Sequence, residues 1–175
     1  MASVVFIRGV NVGGHKRFQP SVLARELANF DVVNVGAAGT FVVRRPISQT
    51  ALRAEILRRL PFDAEMMICP GRDIIELVRG DPFPTGRLEK DVRPFVTVMD
   101  KSPQTLPRLP LCQPAGDRWE VRVVKVSGRY ALSLWRKMGR GILYPNEVVE
   151  KHFGVAATTR GWNTITAIGE LLGEH

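Results

Sequence analysis

The chain has 175 residues, 45% of them hydrophobic and 24% charged, with a formal net charge of +8. That is ordinary globular composition and excludes a disordered or fibrous chain, and no apolar run is long enough to span a bilayer. Residues 1–90 hold 13 Lys+Arg against 9 Asp+Glu and residues 91–175 hold 12 against 8, so the surplus is +4 in each half, with no basic tail to mark a nucleic-acid arm.

The chain opens on a predicted strand, Ser3 to Arg8, whose run Val4-Val5-Phe6-Ile7 is stopped by Gly9. It is too short for a signal-peptide core and no basic residue precedes it, so a cytoplasmic protein without a membrane segment is expected. A helix is predicted from Pro20 to Asn29, with proline at its start and Val22, Leu23 and Leu27 on one face. Strands follow at Val32 to Val35 and Thr40 to Arg44, joined by the tight turn Gly36-Ala37-Ala38-Gly39. Ser48 to Leu60 reads as a helix capped by Ser48, striped by Leu52, Ile56 and Leu60 and ended by Pro61. Glu65 to Cys69 is a strand closed by Pro70-Gly71. The order β-α-β-β-α-β is that of a ferredoxin-like unit.

The second half partly repeats this order. Asp73 to Arg79 is a predicted helix, and Asp81 to Val92, rich in Pro and Gly, is the predicted boundary. Phe95 to Met99 reads as a strand and Ser102 to Pro114, with its prolines, as a loop. Trp119 to Val126 and Arg129 to Trp135 form a hairpin around Ser127-Gly128. Helices are predicted at Asn146 to Phe153, with Gly154 after its end, and at Thr158 to Leu172, with Thr158 as its cap. The expected fold class is α+β, with a ferredoxin-like subdomain over residues 1–80, a connector over 81–93 and a less regular second subdomain over 94–175.

Two segments carry most of the polar chemistry. Gly9-Val10-Asn11-Val12-Gly13-Gly14-His15-Lys16 lies between a strand and a helix. A P-loop needs lysine directly after its second glycine and then Ser or Thr for magnesium, and His15 breaks that spacing, so NTP hydrolysis by this loop is not expected. What remains is an anion-binding turn of outward backbone amides at Gly13 and Gly14, with Arg8, Asn11 and Lys16 beside it, or a tight β-to-α connection that needs only glycine geometry. The second segment is Ala157-Thr158-Thr159-Arg160-Gly161-Trp162-Asn163-Thr164. Read as a helix start, it offers free amides, the fixed fork of Arg160, and Thr159 and Asn163 about one turn apart; the plain alternative is a capped helix with Trp162 in the core.

Gly139-Arg140-Gly141, after the hairpin, is a secondary candidate phosphate turn. The hairpin is the most basic stretch, with Arg118, Arg122, Lys125, Arg129 and Arg136 interleaved with Trp119, Tyr130 and Trp135. Alternation puts Trp119 on one face with Val121 and Val123, and Tyr130 with Leu132 and Leu134, and so assigns those aromatics to the core rather than to a nucleic-acid platform. His15, His152 and His175 lack metal-ligand spacing, no nucleophile turn is present and no carboxylate pair can be nominated. No metal or cofactor is expected.

The two segments are the motifs through which the chain resembles the bacterial domain of unknown function 1697 family. The carrying residues are Ile7-Arg8-Gly9-Val10-Asn11-Val12-Gly13-Gly14 and Thr158-Thr159-Arg160-Gly161-Trp162-Asn163-Thr164, supported by Val35 to Val43, Asp81-Pro82-Phe83 and Gly139-Arg140-Gly141. The resemblance covers nearly the whole chain and implies two ferredoxin-like subdomains and no established activity. The chain departs from the family pattern at Ala38-Gly39-Thr40, where Ser-Gly-Asn is usual, and at Gly161, where Asn is usual.

Three functions are compatible with these residues. One is a binding protein for a phosphate-bearing partner, a nucleotide or nucleic acid. Another is an enzyme for a small anionic metabolite, for which the general base is missing. The third is a protein-interaction scaffold. The first two share one expectation, that Arg8 and Arg160 contribute to a common electropositive hollow.

Overall fold

A computed structural model describes residues 1–10, 17–83, 88–139 and 141–173. The fold is α+β, with two antiparallel sheets and their helices. The chain divides into two compact units, Met1–Gly80 with Thr164–His175, and Asp81–Asn163.

The first unit contains β1 (Ser3–Ile7), α1 (Pro20–Glu26), β2 (Val32–Asn34), β3 (Thr40–Val43), α2 (Gln49–Arg59), β4 (Met66–Pro70) and α3 (Gly71–Arg79). Its sheet runs β2-β3-β1-β4, every pairing antiparallel. All of β1 is buried, which is why its sequence is a continuous apolar run instead of an alternating one. Val5 and Ile7 face a core made with Leu23 and Leu27, Leu52 and Ile56, Phe41 and Ile68. Each such side chain contributes about 1.5–3 kcal/mol by leaving water. Ser48 caps α2, its Oγ accepting from the Ala51 N–H at 3.1 Å.

The β2–β3 turn is governed by Gly39. Its φ is +83°, and a Cβ there would lie 2.7 Å from Val10 Cγ2 and 3.1 Å from Ile7 Cβ. The Ile7 N–H donates to the Gly39 carbonyl at 2.8 Å. Glycine is thus required twice, by the left-handed backbone and by the close approach of the chain leaving β1.

The second unit contains β5 (Arg93–Met99), β6 (Leu111–Gln113), β7 (Val121–Ser127), β8 (Tyr130–Trp135), α4 (Pro145–Phe153) and β9 (Ala157–Gly161). Its sheet runs β6-β7-β8-β5-β9. Four of these strands, β7-β8-β5-β9, repeat the order of the first sheet. A proline-rich connection holding β6 stands where the first unit has α1, which corrects the expectation of a plain loop over Ser102–Pro114. Val148, Val149 and Phe153 of α4 pack on Met99, Val121, Val123 and Ala131. Gly154 ends α4 at φ +69°. The hairpin turn falls on Gly128-Arg129, between the paired Ser127 and Tyr130, one residue later than expected.

The last predicted helix is the largest correction. Residues 157–161 form β9, paired along β5 from Phe95↔Gly161 to Met99↔Ala157, and the helix α5 (Trp162–Gly173) starts only afterwards. Thr158 and Thr159 are β-branched and fit a pleated surface better than a helix. From Thr164 onward the helix groups with the first unit. There Gly169 faces Val78, and Gly71 faces Leu172, each at a distance where a Cβ would crowd its neighbour.

Candidate functional site

The first sequence motif is described only in part. Gly9 turns the chain out of β1 at φ +68°, and Val10 is buried. The Arg8 N–H donates to the Glu65 carbonyl at 2.9 Å, and its guanidinium lies 3.6 Å from the Glu65 carboxylate. Asn11, Gly13, Gly14 and Lys16 lie outside the described residues, as does Arg140. Gly139 and Gly141 are exposed, and a Cβ on either would meet nothing within 4 Å.

The second motif is described in full, and its geometry is that of a strand. Successive side chains of β9 point to opposite faces of the sheet. Thr159 therefore faces Thr97, with 2.8 Å between the two hydroxyl oxygens, while Arg160 points the other way together with Thr158. Arg160 Nη1 donates to Thr158 Oγ1 at 2.7 Å and to the Thr159 carbonyl at 3.0 Å. The expected alignment of Thr159 with Asn163, one helical turn apart, does not arise, because Thr159 lies in β9 and only Asn163 in α5. Asn163 is exposed in the first turn of α5, and Trp162 is buried with its ring edge-on to Phe83 at 5.2 Å. Gly161 is not a steric necessity, since its Cβ would come no closer than 3.8 Å to Phe95.

Arg160 is the unusual group here. It is 6% exposed. Burial pushes its pKa down to about 10, still far above neutral pH, so the side chain stays cationic. A desolvated cation costs several kcal/mol unless its surroundings compensate. Two of its acceptors, the Thr158 hydroxyl and the Thr159 carbonyl, are neutral oxygens. Thr158, whose hydroxyl holds the guanidinium, was not among the predicted site residues. Its two-residue spacing from Arg160 would have signalled the pairing had the segment been read as a strand.

A second cationic arrangement was also missed. Trp119 is buried, and the guanidinium carbons of Arg122 and Arg136 lie 4.3 Å and 4.0 Å from its ring centroid. Arg136 Nε donates to the Trp119 carbonyl at 2.8 Å and Nη2 to the Asp117 carbonyl. Arg122 Nε donates to Cys112 Sγ at 3.4 Å. The assignment of Trp119 to the interior is correct, but arginines cover it.

Residues 1–127 match the family model described as Protein of unknown function (DUF1697). The structure is similar to that of the conserved bacterial protein SP0830 from Streptococcus pneumoniae, with a TM-score of 0.59 and 16% identity, over 98% of each chain. At that identity the likeness is one of fold. No curated protein matches the chain. Among the described residues, no helix is long and apolar enough to cross a membrane.

Proposed function

We propose a ligand class for a chain that belongs to the DUF1697 family: it binds a small phosphate-bearing anion, a nucleotide in the first instance, with Arg160 as the principal cation. The observation that carries this reading is the burial of that guanidinium. A guanidinium is costly to dehydrate, and an anion entering beside one already buried gains a charge-assisted, bidentate partner in low dielectric. Thr158 fixes the rotamer, so little side-chain entropy remains to be lost on binding. Asn163, exposed in the first turn of the following helix, supplies a neutral hydrogen-bonding group.

The test is thermal unfolding with inorganic phosphate and with nucleoside mono-, di- and triphosphates, on the wild type and Arg160→Met. A ligand at a hundred times its dissociation constant stabilises the fold by about 2.7 kcal/mol, a readable rise in Tm. The expected result is a rise in the wild type that Arg160→Met abolishes, with circular dichroism showing that the variant is folded. A rise that survives the substitution, or no rise with any of these compounds, overturns the reading.

A further inference from the structure

We infer that the Arg122–Trp119–Arg136 stack and the cations around it form a docking surface for single-stranded nucleic acid. The surface shares only its phosphate target with the Arg160 reading and uses different residues.

Charge comes first. Residues 117–140 contain seven Lys+Arg and two Asp+Glu, so this short segment holds +5 of the chain's +8. The hairpin brings Arg122 and Arg136 to one indole. Arg122 lies on β7, Arg136 follows the end of β8, and the Arg136 N–H donates to the Glu120 carbonyl at 2.9 Å. Arg118, Lys125 and Lys137 are exposed on the same hairpin and its flanks.

Preorganisation comes second. Both guanidiniums sit about 4 Å from the centroid of one indole ring. Their carbons are then at most 8.3 Å apart, the sum of the two centroid distances. The indole braces both, and main-chain carbonyls and a thiol hold them from behind. Neither guanidinium forms an ion pair with a carboxylate among the described residues. Two fixed, uncompensated cations at this spacing suit successive phosphates of an extended strand better than one small anion.

The third argument separates a single strand from a duplex. The buried Trp119 cannot stack on a base. The loop that begins at Arg136 carries Met138, Ile142 and Tyr144, which are 44%, 50% and 51% exposed. Apolar and aromatic side chains standing in solvent on the loop that follows Arg136 and Lys137 suit unpaired bases, which offer a π-face, whereas a duplex presents mainly phosphate.

The experiment is fluorescence anisotropy of a labelled single-stranded oligonucleotide with the full chain across a salt series, beside a duplex of the same sequence and anionic lipid vesicles. Wild type, Arg122→Gln/Arg136→Gln, Arg118→Gln/Lys137→Gln and Arg160→Met are compared. The single strand should bind at about 50 mM salt and weaken steeply as salt rises. The stack variant should lose about tenfold in affinity and lower the logarithmic salt slope by roughly 0.7 per lost phosphate contact. Should the stack variant fail to fold by circular dichroism, the exposed pair decides alone, with the same direction of change. Arg160→Met should leave oligonucleotide binding intact even where it abolishes the nucleotide-induced rise in Tm, so either proposal can fail without the other. No binding at low salt, an unchanged slope in both double variants, or capture by vesicles but not by oligonucleotide overturns the inference.

Discussion

The unit Met1–Gly80 with Thr164–His175 carries 11 Lys+Arg against 9 Asp+Glu, whereas Asp81–Asn163 carries 14 against 8. The surplus is thus +2 in one and +6 in the other. In the first unit, arginines on helices meet carboxylates: Arg58 and Arg59 reach Glu55 at 2.6 and 2.5 Å, and Arg72 lies 3.9 Å from Asp73. Arg45 and Arg53 of the first unit donate to the Asn29 and Met66 carbonyls instead, and in the second unit Arg122 and Arg136 meet carbonyls, a thiol and an indole. Exposed helical pairs are worth little and serve solubility. Cations fixed by neutral groups keep their field available to an outside anion. Four strands keep the same order in both units, so the difference lies in the charge surplus and in the Arg122 and Arg136 partners, which are not carboxylates.

The strongest way to break this comparison is to remove the brace. Trp119→Ala should cost about 3–5 kcal/mol, the usual range for a buried aromatic, seen as a lower urea midpoint by circular dichroism. A cost below 1 kcal/mol would mean that the indole does not organise the arginines. Next is Gly39→Ala in the first unit, expected to cost about 2 kcal/mol from crowding against Val10 and positive φ together. A midpoint equal to wild type would show that the β2–β3 turn does not need glycine.

A smaller effect tests the hydroxyls of the second sheet. Thr97→Val breaks the bond to Thr159 and should cost about 1 kcal/mol. Ser133→Ala removes a buried hydroxyl oxygen that has no hydrogen-bond partner among the described residues, so it should be neutral or stabilising by up to about 1 kcal/mol. Equal losses in the two variants would contradict the assignment of partners.

The smallest effect lies with Glu55. The hydrogen bond from Arg59, and the nearby charge of Arg58, hold its carboxyl below the usual value of 4.5. A carboxylate with a lowered folded-state pKa adds stability above its unfolded pKa and loses it as pH falls through the folded one. Stability should therefore fall as the solution is acidified below about 4.5, and Glu55→Gln should flatten that part of the pH–midpoint curve while moving the neutral midpoint little. An unchanged acid limb would remove the pair from the account.

Local chemistry was legible in the sequence wherever a single segment decides its own conformation. The unbroken apolar run of β1, the Ser48 cap, the glycine after α4, the hairpin and the α+β class all follow from steric and capping rules acting over a few residues. What only the tertiary structure decided is pairing. Residues 157–161 become a strand because β5 offers them an edge, and that one change of period sends Thr159 and Arg160 to opposite faces and buries the arginine. The even charge of the two halves gives way to +2 and +6 because the acidic C-terminal segment groups with the first unit. Cross-strand partners and the solvent exposure of a charge depend on residues far away in the chain, so no reading of a window could have supplied them.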